Sequence, residues 1–172
     1  MELIDAMFKR RSSRKFTDEP ITKAELDMIL KSALLAPTSR NRKPCNFLVV
    51  ERKETLDELS RAKNHGAQFL KNADKAIVVL ASEFESDTWC EDSSIALTYM
   101  HLMATDLGLG SCWVQIHLRK RDGTDAEKIV RDIVGVDLHY RIVGILALGH
   151  LESQPEPHTP DDLDKSKVHF LV

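Results

Sequence analysis

Ala76-Ile77-Val78-Val79-Leu80-Ala81 is an unbroken run of six apolar residues. It does not alternate with polar residues, so an extended chain here buries side chains on both faces. That requires a sheet covered by helices on two sides, an α/β or α+β arrangement. Toward the C-terminus, Asp87–Leu107 is the longest helical candidate. Ile95, Ala96, Leu97, Tyr99, Met100, Leu102, Met103 and Ala104 make it apolar around most of its circumference, as a central helix must be. Gly108 and Gly110 end it, Ser111–Ile116 reads as a strand, Asp125–Val134 as a helix and Tyr140–Leu148 as a further strand. Toward the N-terminus lie a short helix ending near Ala73, a helix over Thr55–Lys63 and a buried strand over Phe47–Val50. Thr22 followed by Glu25 is a capping box, and its helix stops before Pro37. Met1–Arg10 has helical apolar spacing at Leu3, Ile4, Met7 and Phe8. After Gly149 the composition shifts to Pro155, Pro157, Pro160 and acids, an irregular tail that suits wrapping around a second subunit.

At 172 residues the chain makes a single domain, 1–172, with residues 152–172 as its tail. Hydrophobic residues are 42% and charged residues 30%, which fits a globular protein and excludes a disordered one. Cys45, Cys90 and Cys112 are odd in number and widely spaced, so neither a disulfide framework nor a structural zinc is expected. There is no signal-like leader and no apolar run long enough to span a membrane, which points to the cytoplasm. The seven histidines are dispersed, and no P-loop, H-E-x-x-H or G-x-S-x-G occurs. His101 reads as a hydrogen-bonded core histidine, and the acids from Glu83 to Asp92 as a solvated loop and helix start.

Three features carry chemistry. Lys9-Arg10-Arg11-Ser12-Ser13-Arg14-Lys15 holds five positive charges in a chain of formal net charge −3, so the remainder carries −8. Arginine forks with hydroxyls among them have the composition of a phosphate site; the alternative is a solvated helix end. Pro37-Thr38-Ser39-Arg40-Asn41-Arg42-Lys43-Pro44 is a polar loop stiffened by two prolines, suited to the edge of a planar heterocycle or to an ordinary connection. Gly108-Leu109-Gly110-Ser111-Cys112-Trp113 lets backbone approach a ligand, but it follows a helix and lacks the third glycine of a dinucleotide fingerprint.

In order and spacing these stretches resemble the FMN-dependent nitroreductase-like flavoproteins. Arg10-Arg11-Ser12-Ser13-Arg14-Lys15-Phe16 is similar to that family's R-R-S-x-R-x-F. Ala36–Phe47 is similar to its A-P-S-S-x-N-x-Q-P-W-x-F loop, and Gly108–Trp113 to its G-L-G-S-C-W turn. The resemblance implies an α+β fold, a mixed β-sheet flanked by helices in an intertwined homodimer with FMN at the subunit interface. It assigns the phosphate to Arg10, Arg11 and Ser12, and the N1/O2 edge of the flavin to Arg14. Thr38, Ser39 and Asn41, with Lys43 beside them, reach the cofactor from the partner subunit. Cys112 belongs to the same set, and backbone amides around Trp113, Val114 and Gln115 face N5 and O4.

The implied activity is NAD(P)H-dependent reduction of a nitroaromatic, quinone or similar small electron acceptor by hydride transfer, with NADH or NADPH as reductant. A non-enzymatic FMN-binding or flavin-sensing dimer is the alternative. A nucleic-acid module using the basic segment is a third class, opposed by the acidic remainder of the chain. Lys43 stands where the family pattern has Gln, and Cys45 where it has Trp. The tail is acidic at Asp161, Asp162 and Asp164, with Lys165 or Lys167 in place of the family's phosphate-binding Arg.

Overall fold

The computed structural model describes residues 1–171; Val172, the end of the tail, lies outside the described residues. Its centre is a four-stranded sheet in the order β1 (Cys45–Val50), β2 (Lys75–Ser82), β6 (Tyr140–His150) and β3 (Leu109–Gln115). β2 is buried at every position after Lys75, as its continuous apolar run requires. All three strand pairs are antiparallel, with a register shift between Val78 and Leu80. The parallel element is a single bridge joining Ser12 to Ser111.

Helices cover both faces. α4 (Trp89–Asp106) and α2 (Lys23–Leu34) pack on one, around Ile77, Val79, Leu97, Met100 and Leu146. α3 (Lys53–Leu59) and α5 (Ala126–Val134) cover the other, around Leu56, Val78, Val130 and Ile145. The capping box at α2 forms as read: Thr22 Oγ1 accepts from the Glu25 amide at 3.2 Å, and Glu25 Oε2 accepts from the Thr22 amide at 2.7 Å. α5 is capped by the Asp125 carboxylate and stopped by Gly135 at φ 69°.

Four details depart from the sequence reading. The helix expected over Thr55–Lys63 ends at Leu59. Only Gly108 acts as the helix stop, at φ 77°; Gly110 lies inside β3. There a Cβ would sit 2.7 Å from the Leu151 side chain and 3.1 Å from the Phe16 ring, so Gly110 serves close packing. Lys120–Arg121 and Thr124–Asp125 form a small hairpin, β4–β5, turned at Asp122 and Gly123 with positive φ at both. Finally, Asp92 is buried and not solvated: its carboxylate accepts from Ser86, Thr88 and the Ser39 amide.

α1 (Leu3–Lys9) lies against the C-terminal half of α4 and leaves an apolar groove of about 410 Å³ lined by Leu3, Met7, Tyr99, Leu102 and Met103. Leu3 remains 63% exposed although the helix is apolar on that side. The tail returns along α1, where the His158 amide donates to Phe8 O at 2.8 Å and Arg11 Nη1 to Glu156 O at 2.6 Å. From Thr159 onward it is exposed, with Val168 at 60% and Phe170 at 83%.

One buried carboxylate ties α5, β6 and the segment after β3 together. Glu127 is 3% exposed, and it accepts from Arg141 Nε at 3.0 Å, Arg141 Nη2 at 3.1 Å and the Ile142 amide at 3.0 Å. His117 Nδ1 shares a 2.6 Å hydrogen bond with it. Burial opposes the Glu127 charge, but the hydrogen bonds from Arg141, His117 and Ile142 outweigh it and hold the carboxyl below its usual range. Arg141 in turn lies 4.4 Å from the Trp89 ring centroid. Glu127→Ala leaves the Ile142 amide without its acceptor and half-buried Arg141 with Glu83 alone at 2.8 Å, and is expected to destabilise the fold by about 1–3 kcal/mol, read as a lower urea midpoint.

Candidate functional site

The basic segment is joined to the sheet edge by backbone. The Ser13 amide donates to Ser111 O at 2.9 Å, Thr17 N to His150 O at 2.9 Å, and Phe16 bridges Leu151. Gly149 makes this possible, because a Cβ there would lie 2.8 Å from the Phe16 ring. The result places Arg10, Ser12 and Arg14 around buried Cys112 on β3, which is an edge strand. Burial pushes the Cys112 thiol up, against opposing influences from Arg14, Ser12, Lys63 and Arg10. A thiol kept neutral by burial suits a packing group.

The sequence reading missed Lys63. It follows α3 and approaches Cys112; burial lowers its pKa, and Arg119 lowers it further. A lysine in a turn after a helix carries no sequence signal that separates it from a solvated one. Among the described residues, Arg10, Arg11, Arg14 and Lys63 have no carboxylate partner within 4.0 Å. Unpaired cations beside serine hydroxyls form a donor set for an anion.

Behind them, Ser111 Oγ and His101 Nδ1 share a 2.7 Å hydrogen bond in the core. Burial, and then the charge of Arg10, push His101 down to about 4. The folded state keeps this ring neutral while the unfolded chain protonates it near 6.5. Stability is thus complete above about pH 6.5 and is lost as pH falls toward about 4, by on the order of 2–3 kcal/mol. Urea midpoints across that window are expected to fall, and His101→Gln to flatten the dependence.

The second predicted group lies elsewhere. Pro37–Pro44 enters β1, and Arg40, Asn41 and Lys43 adopt positive φ of 51°, 55° and 51°. Side chains outside glycine pay about 1–3 kcal/mol each in such conformations, which concentrate at ligand clamps. The strain is held by the Ser39 amide donating to Asp92 Oδ1 at 3.0 Å and the Lys43 amide to Thr38 Oγ1 at 3.0 Å. Asn41, Arg40 and Lys43 are exposed.

Within one chain, the two groups do not meet. β1 and β3 are opposite edges of the sheet, three strand spacings or about 14 Å apart. Trp113, Val114 and Gln115 stay with the β3 group, where Trp113 Nε1 donates to Gln115 Oε1 at 3.0 Å and Gln115 Nε2 to His117 O at 3.0 Å. Lys165 and Lys167 lie on the exposed tail, and Lys167 sits 3.7 Å from Asp164. The chain brings neither lysine to Arg10, Ser12 or Arg14. FMN fits the β3 group by donor chemistry: guanidinium forks and a hydroxyl suit a phosphate, and Arg14 with Lys63 suits an electron-accepting ring edge.

The wider comparisons agree with this architecture. The model described as Nitroreductase family matches residues 7–68 and 57–150. A provisionally named NADH dehydrogenase/NAD(P)H nitroreductase of Archaeoglobus fulgidus is 32% identical over 98% of this chain and 97% of its own length. The solved structure of an FMN-dependent nitroreductase from Clostridium difficile R20291 is 43% identical, with a TM-score of 0.95 over 97% of this chain and 98% of that one. A Desulfovibrio desulfuricans structure solved in complex with FMN is 20% identical and covers 100% of this chain and 97% of that one; its TM-score of 0.79 is a likeness of fold.

Proposed function

The chain belongs to the nitroreductase family, and from that premise we propose that it is an FMN-containing oxidoreductase that uses NAD(P)H to reduce small electron-poor acceptors, working as a homodimer. The observation that carries this reading is the placement of unpaired cations over the β3 edge with a strained polar loop at the opposite edge. A second copy related by a two-fold axis supplies the loop that each β3 group lacks in its own chain. The apolar groove between α1 and α4 is the contact surface, since Leu3, Met7 and Tyr99 have nothing from their own chain over them. The tail beyond His158, which is exposed in its own chain, reaches over the partner and covers Val168 and Phe170 there.

Bound FMN supplies hydride chemistry, from a reduced nicotinamide to a nitroaromatic, quinone or similar acceptor. Arg10 and Ser12 would hold the phosphate; Arg11, which the resemblance also assigned to it, donates Nη1 to Glu156 O at 2.6 Å and ties down the tail instead. Arg14 and Lys63 keep positive potential at the N1–C2=O edge, where negative charge gathers on reduction, and a fixed cation acts most strongly where water is excluded. Backbone amides of Trp113, Val114 and Gln115 orient the N5 and O4 side, and the Trp113–Gln115–His117 hydrogen bonds keep that strand end in place. From the partner, Thr38, Ser39, Asn41 and Lys43 close the other side. No residue has to act as a nucleophile, which agrees with the neutral thiol of Cys112.

Purified protein is expected to be yellow, to bleach anaerobically with NADPH or NADH, and to regain colour when a quinone or nitroaromatic is added. A colourless protein that gains no visible absorbance in FMN contradicts the reading. A bound flavin that stays oxidised under excess of both nicotinamides marks a non-enzymatic flavin-binding dimer instead.

A further inference from the structure

Beside the β3 group, the turn after α3 and the β4–β5 hairpin enclose a polar concavity of about 350 Å³ whose cations are Arg61, Lys63, Lys71 and Arg121. Arg61 is neutralised by Asp57 at 2.5 Å. Lys63, Lys71 and Arg121 have no carboxylate partner within 4.0 Å among the described residues, and Asp122 is the one unpaired carboxylate in the lining. Lys63 also faces the flavin edge, so the concavity's own unpaired charge is that of Lys71 and Arg121 against Asp122, a net +1 that attracts an anion.

The concavity is built from fixed parts. The Asn64 amide donates to Lys120 O at 3.2 Å, and the Asp122 amide donates to Asn64 Oδ1 at 3.2 Å. Arg121 Nη1 donates to Arg61 O at 3.1 Å, which holds the guanidinium against the turn. Lys63 belongs both to this concavity and to the surroundings of Cys112, so positive charge runs without a break from Arg14 to Arg121. Its half-buried ammonium sits near Arg119, an arrangement that costs free energy until an anion arrives.

We propose that this concavity is a phosphomonoester site that takes the 2′-phosphate of NADPH while the nicotinamide meets the flavin, so that the protein discriminates NADPH from NADH. The proposal rests on the FMN oxidoreductase reading above. The two nicotinamides differ by that one dianionic group, and a site of net positive charge beside the cofactor crevice separates them by charge-assisted hydrogen bonds from Lys71 and Arg121.

The test uses FMN-loaded protein, calorimetric titration with 2′,5′-ADP and with 5′-AMP, and anaerobic stopped-flow reduction by each nicotinamide. Wild type is expected to bind 2′,5′-ADP at least about tenfold more tightly than 5′-AMP, which is about 1.4 kcal/mol. Lys71→Ala with Arg121→Ala should erase that difference and raise the NADPH Kd by about tenfold, with the NADH Kd shifted by less than about twofold. Lys71→Glu alone, at an exposed position, should act in the same direction without touching the hairpin. Equal binding of the two nucleotides, or equal shifts for NADPH and NADH, overturns the proposal. Loss of FMN in the double variant also overturns it and assigns the concavity to the cofactor's own phosphate. Inorganic phosphate competing as well as 2′,5′-ADP would mean that a free anion is the occupant. Where flavin binds and bleaches normally but these differences are missing, this site fails and the oxidoreductase reading stands; absent flavin fails the latter.

Discussion

Arg10→Ala combined with Arg14→Ala is expected to lower FMN affinity by two to four orders of magnitude while the apoprotein melts within a few degrees of wild type. Each guanidinium contributes a charge-assisted hydrogen bond or close ion contact to the cofactor, about 1.5–3 kcal/mol apiece. Together that is about 3–6 kcal/mol, and every 1.4 kcal/mol is tenfold in Kd. Their roles in the fold are small by comparison. Arg14 donates one 3.3 Å bond to Ser12 O and lies 5.7 Å from the Phe69 ring centroid, contacts worth about 1 kcal/mol at an exposed position. Arg10 has no carboxylate partner within 4.0 Å whose loss would strand a buried charge. Fluorescence titration with FMN and calorimetry of the apoprotein read the two quantities separately. Parallel losses in both would make the basic segment a structural element.

Met7→Asp with Tyr99→Asp is expected to yield monomers that are folded and colourless. Both side chains are exposed within one chain, so each carboxylate remains solvated when the chain is alone. In the dimer the same groups enter a largely apolar groove whose one cation, the Met1 ammonium, is already paired with Asp106 at 3.3 Å. An uncompensated buried charge costs about 3–5 kcal/mol, which is two orders of magnitude or more in the dissociation constant. Because the loop Thr38–Lys43 and the β3 group occupy opposite sheet edges of one chain, flavin is lost together with the dimer. Monomers that retain stoichiometric FMN would show that the two groups need no partner.

Much of the fold is legible because its strands are buried on both faces. The run Ala76–Ala81 states its own position at the sheet centre, and β6 does so nearly as plainly. Thr22 and Glu25 announce a helix start by local chemistry, and the structure forms both hydrogen bonds. Gly110 misleads because a glycine after a helix reads as a stop; its actual reason is the pressure of Leu151 and Phe16, which lie far away in sequence or across the sheet. The β4–β5 hairpin was within reach, since Asp122-Gly123 is a two-residue turn signal between short flanks. Asp92 reads as a surface acid, because nothing local tells that Ser39, Ser86 and Thr88 converge on it, and no local signal marks Glu127 as the partner of Arg141 and His117.

For the site, the composition of Lys9–Lys15 suits an anion site as well as a solvated helix end, and does not say what the segment faces. Only the pairing of Ser13 with Ser111 shows that the grip closes over Cys112 and is completed by Lys63. The Pro37–Pro44 loop is set apart by positive φ at Arg40, Asn41 and Lys43, a backbone property that residue types other than glycine do not announce. Lys165 and Lys167, offered by the sequence as phosphate ligands, remain on the exposed tail of their own chain.

Sedimentation velocity recorded at the visible flavin band tests the shared crevice most directly. The signal is expected to travel entirely with a species of twice the 19.5 kDa chain mass, one FMN per chain. Yellow protein sedimenting as a single chain, or a dimer that takes up no FMN, would contradict the account.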